Sequence, residues 1–142
     1  MSNFLPIIFS ISLLLAIVAL LLIFSPEKPK IDTCLMSDIK KSKEKINSLL
    51  AREDIDLAKQ ALIEADKILD KVLKVKIRGK KDMGARLKFA NKIISDKDLY
   101  QQIWEAHKLR NQIVHEVDTK VTFKEIKRAV SILNQARESL GY

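Results

Sequence analysis

One cysteine, two histidines, three glycines and three prolines in 142 residues exclude several kinds of chemistry. A lone cysteine rules out an internal disulfide and agrees with a reducing compartment. With so few glycines there is no glycine-rich phosphate loop and no G-x-S-x-G nucleophile turn. Two histidines and one cysteine do not make a conventional zinc cluster. His107 and His115 stand more than two helical turns apart, too far to share an ion along one helix. No cofactor and no metal is expected. Strand-period alternation is also missing over any length that would build a sheet. The expectation is an all-α chain: an N-terminal transmembrane helix, then a bundle of about four main helices plus a short extra one.

Charge is absent from Met1 to Pro26. Phe4 to Phe24 reads FLPIIFSISLLLAIVALLLIF, long enough as a helix to cross about 30 Å of hydrocarbon. A cleaved signal peptide would need a basic start, a shorter apolar core and a small-x-small cleavage site. None is present, so residues 1–26 are expected to be a retained single-pass anchor. Lys28, Lys30, Lys40, Lys41, Lys43 and Lys45 follow the span and no lysine or arginine precedes it. The positive-inside bias then places the C-terminal side in the cytoplasm, at the inner membrane. Residues 27–32 (EKPKID) form a short stiff linker, and residues 33–142 the cytoplasmic helical domain.

The formal charge is +8, and residues 71–92 carry nine basic side chains against one acidic. That cluster suits a phosphate backbone, an anionic membrane surface or a plain solvated face. Lys74, Lys76, Arg78, Lys80 and Lys81 are the candidate RNA-binding residues.

Apolar spacing predicts helices over about Thr33–Leu50, Ile55–Lys76, Ala85–Ile94 and Leu99–Glu116. In the second, Ala58, Ala61, Leu62, Ala65, Ile68, Leu69, Val72 and Leu73 share one face. Asp96 or Asp98 is positioned to cap the fourth. Thr122-Phe123-Lys124-Glu125 matches a capping box for a last helix, which turns Phe123, Ile126, Val130, Leu133, Ala136 and Leu140 inward and ends at Gly141.

The fourth helix contains an anomaly. At about 100° per residue, Leu99, Ile103, Ala106, Ile113, Val114 and Val117 share one arc. Arg110 falls in the middle of it. A buried guanidinium keeps its proton and needs a partner. Asp66, at the edge of the second helix's apolar face, is the expected structural partner. His115 lies in the last turn, where a histidine suits the free carbonyls, and Asn111, one turn earlier, is placed to hold its ring. Trp104 and His107 read as packing and surface-edge residues, and Cys34 as a small buried group.

Arg110-Asn111-Gln112-Ile113-Val114-His115 resembles the R-x4-6-H motif of the HEPN superfamily, in which Asn often follows the Arg. The stretches IEADKILDKVL, MGARLK and WEAHKLRNQIVHE also resemble a group of bacterial membrane-anchored proteins. The resemblance covers roughly Asp54–Tyr142. It implies a bundle of four or more helices with the motif late in a core helix and one helix after it. It further implies a metal-independent endoribonuclease whose site is assembled across a homodimer. In that implied chemistry Arg110 holds the scissile phosphate, His115 moves protons and Asn111 orients His115 or contacts phosphate. The product end is a 2′,3′-cyclic phosphate. Many members of that superfamily are inactive, so a non-catalytic interaction module stays open beside the nuclease. In that case Arg110 and His115 are structural and an unidentified protein is the partner.

Overall fold

A computed structural model describes residues 13–17, 33–116 and 119–142. Among these there are four long helices, one short one, a further helical stretch at 13–17 and no strand. They are α1 (Thr33–Leu50), α2 (Ile55–Lys76), α3 (Met83–Ala90), α4 (Lys97–His115) and α5 (Phe123–Ser139). Asp32–Tyr142 forms a compact unit of its own, distinct from Met1–Ile31. Apart from 13–17, residues 4–24 lie outside the described residues; 13–17 are helical, with Leu13, Leu14, Leu15 and Ile17 exposed. Among the described residues no helix is long and apolar enough to cross a membrane.

The helix starts follow local chemistry. Asp54, Asp82, Asp96 and Thr122 each have extended backbone, and each side chain accepts hydrogen bonds from amides that the first turn leaves unpaired. At Thr122 the reciprocal bond is also made, since Glu125 accepts from the Thr122 amide at 2.8 Å. Gly141 follows α5 with φ of +85°, where a side chain would be strained. Its amide and that of Tyr142 return to the carbonyls of Glu138 and Arg137.

α2 is the central helix: α1, α3, α4 and α5 all pack on it. Its alanines at 58, 61 and 65 let the neighbours approach, and all eight of its expected core residues are buried. Leu35, Ile39 and Ile46 of α1, Leu87 of α3, Ile103 of α4, and Ile126 and Leu133 of α5 complete the core. Every core residue among the described residues belongs to Asp32–Tyr142, so this unit carries its own hydrophobic stabilisation.

Four expectations change in detail. α3 starts two residues before Ala85 because Asp82 caps it, and it stops at Ala90. There the amides of Lys92 and Ile93 turn back to Phe89 and Ala90. α4 starts at Lys97 and ends at His115. Cys34 is exposed rather than buried. Val114, expected inside, is 44% exposed; Val117 lies outside the described residues.

Candidate functional site

The site grows from one carboxylate. Asp66 stands on α2 between Ala65 and the Ile68–Leu69 pair and is 2% exposed. A carboxylate removed from water needs donors, and α4 supplies them at the spacing of one helical turn. His107 Nδ1 lies 2.8 Å from Asp66 Oδ1. Asn111 Nδ2 lies 3.2 Å from His107 Nε2. Arg110 Nη1 donates to Asn111 Oδ1 at 2.9 Å. Arg110 Nε returns to Asp66 Oδ2 at 3.5 Å, which closes a ring.

Donor and acceptor roles follow once the carboxylate is taken as acceptor only. Nδ1–H of His107 donates to Asp66. Nε2 then accepts from the Asn111 amide, whose oxygen accepts from Arg110. Every link is satisfied except the last. Arg110 Nε is buried and has no aligned hydrogen bond, so its contact with Asp66 is Coulombic alone. The ring is closed by charge at one corner and by hydrogen bonds at the other three. Trp104 sets its ring edge against His107, with centroids 6.3 Å apart and planes at 74°.

Arg110 is not in the middle of the buried face. Its side chain is 27% exposed. The packed part of α4 centres on Ile103, Ala106 and His107, and cover thins towards the C-terminal end. Arg110 sits where it ends, with Nη2 free of any protein acceptor among the described residues. His107 is the residue that the sequence placed wrongly: it is 9% exposed and makes the shortest bond to Asp66. The available signal was its position three residues before Arg110, which puts both on the α2 side of α4. Asn111 turns back one turn to His107 instead of forward to His115. His115 is exposed, with no hydrogen-bond partner among the described residues.

The five basic residues assigned to RNA as a group have different surroundings. Lys74 pairs with Asp70 at 3.2 Å. Lys76 lies over the Tyr142 ring and Lys80 over the Phe89 ring. Arg78 and Lys81 are exposed. Arg86, which the sequence did not single out, is 3% exposed and bound to Asp70 and the Lys80 carbonyl. Among the described residues no cluster of three or more His, Cys, Asp or Glu side chains is placed to hold a metal ion.

The fold and site together define an all-helical bundle with a buried carboxylate–imidazole–amide–guanidinium ring between α2 and α4. The chain matches no protein-family model, no curated protein and no solved structure.

Proposed function

We propose that the chain is a membrane-tethered helical domain that cleaves RNA as a homodimer, without a metal. The observation that carries this reading is the state of Arg110: held by Asp66 and Asn111, with one guanidinium edge unused, at the end of α4 that also exposes His115. A fixed guanidinium with a free edge is preorganised for a phosphate. Arg110 and His115 are five residues apart and so point about 140° apart around the helix. One copy therefore presents them poorly to a single phosphate, while two copies meeting along the exposed Val114 bring an Arg and a His from different chains together. In the reaction the 2′-oxygen attacks phosphorus and gives its proton to one His115. The 5′-oxygen leaves and takes a proton from the other. The uncharged run from Phe4 to Phe24 supports the tether, and the lysines after it support a cytoplasmic domain.

The test is cleavage by residues 32–142 in EDTA beside His115→Ala. The expected result is cleavage by the parent alone, leaving cyclic-phosphate ends. A folded, dimeric fragment that leaves RNA intact overturns the nuclease.

A specific observation favours a second reading, the non-catalytic interaction module. α4 and α5 enclose a groove of about 300 Å3 whose floor is Ala106, Leu109, Ala129 and Ile132. In that reading the ring is a register lock and the groove takes a partner protein's helix.

A further inference from the structure

Residues 71–92 hold more charge than the nuclease reading uses. Of their nine basic side chains, three have carboxylate partners: Lys71 with Asp38, Lys74 with Asp70, and Arg86 with Asp70. Lys76, Arg78, Lys80, Lys81, Lys88 and Lys92 have none among the described residues. The one acid of the segment, Asp82, is tied to the first turn of α3 as its cap. The positive field of this end is therefore unopposed locally.

Two large apolar side chains lie within that field. Phe89 on α3 is 40% exposed and Ile93, four residues on, is 43% exposed. The Phe89 ring has the ammonium of Lys80 at 3.9 Å and that of Lys92 at 4.7 Å from its centroid. In water those flexible stems shield the ring.

We infer that this end of the domain docks on an anionic bilayer, with Phe89 and Ile93 entering the headgroup boundary and the unpaired lysines meeting lipid phosphates. At a bilayer Lys80 and Lys92 swing outward to the headgroups and uncover the ring, which then enters the interface. An RNA backbone is the other polyanion that suits the charge, but it has no use for Ile93. A lipid surface uses both the charge and the apolar pair. The inference does not depend on RNA cleavage or on the N-terminal span, because the patch lies wholly within Asp32–Tyr142.

The experiment is vesicle sedimentation of residues 32–142, which hold the whole described core. Phosphatidylcholine vesicles are compared with vesicles containing about 30% phosphatidylserine, an anionic surface that attracts basic segments. A single-stranded oligouridylate is titrated in parallel. The expected result is binding to the anionic vesicles alone, abolished in high salt. Lys88→Glu/Lys92→Glu and Phe89→Ser/Ile93→Ser each weaken it by about fivefold or more. Helical circular dichroism accompanies every variant. If the serine pair loses its helices, the glutamate pair, at two exposed positions, is read in its place. No vesicle binding by a helical fragment overturns the inference. So does binding that folded Phe89→Ser/Ile93→Ser leaves unchanged. Binding to oligouridylate without binding to vesicles overturns it too, and gives the patch to RNA.

Discussion

Asp66 supports two neighbours on another helix, and the ring ranks what its members are worth. Asp66→Ala strips the acceptor from His107 Nδ1–H, which is buried, and removes the charge that faces Arg110 Nε. Removing one partner from a fully buried ion pair costs about 3–5 kcal/mol. Here the guanidinium keeps partial contact with water, so the expected loss in urea unfolding is about 2–4 kcal/mol. Arg110→Ala should cost less than Asp66→Ala, because Asp66 keeps its 2.8 Å bond to His107. The reverse order would mean that the charge contact, and not the imidazole bond, holds the ring. Part of this site was legible in the sequence: an arginine among apolar positions has to find a carboxylate, and Asp66 was the one within reach on a neighbouring apolar face. His107 was not legible. A helical wheel treats every turn as equally covered, whereas the neighbouring helices bury α4 most fully around Ile103–His107 and leave the turns after Arg110 open.

Among the helices, those whose ends are set by side-chain caps were the most readable. A cap is a local hydrogen bond between residues two or three apart, so Thr122 with Glu125 announces α5 without any tertiary knowledge. The short α3 was read less well, because it closes with a tight turn into Ile94 that no single residue type signals. The α5 cap also has a pH signature. The hydrogen bonds that Glu125 accepts from the Thr122 hydroxyl and amide hold its carboxyl below the usual glutamate range. A carboxyl depressed on folding stabilises fully above its unfolded pKa and loses that contribution as pH falls through the folded value. Glu125→Gln should therefore be less stable than the parent at neutral pH, and the gap should close in acid below the ordinary glutamate range. Thermal unfolding across that window checks it. Thr122→Ala, which removes the cap hydroxyl, should cost about 1 kcal/mol at neutral pH.

At the scale of the molecule, the all-helical architecture followed from periodicity alone. Two things did not: that α2 is central, and that Arg86 and Asp70 pair between α2 and α3. Both depend on which helices meet, and spacing along one helix does not carry that information. Because every core residue among the described residues lies within Asp32–Tyr142, that fragment should unfold in urea in one cooperative step. Circular dichroism and Trp104 fluorescence should give the same midpoint. Trp104 reports on the α2–α4 seam through its edge contact with His107, so an earlier fluorescence midpoint would show the seam opening before the bundle.

The thin cover at the end of α4 has a consequence for how order is distributed along that helix. Ile103 and Ala106 are sealed between neighbours, while Val114, His115 and Glu116 stand in solvent. Amide hydrogens in the first group should exchange with solvent deuterium only when the whole bundle opens. Those in the last turn exchange through local fraying, at a small fraction of that free energy. That end of α4 is thus the part that a bound molecule would stiffen most. Any ligand or second copy that settles there would slow exchange in residues 112–116 and leave the middle of the helix unchanged.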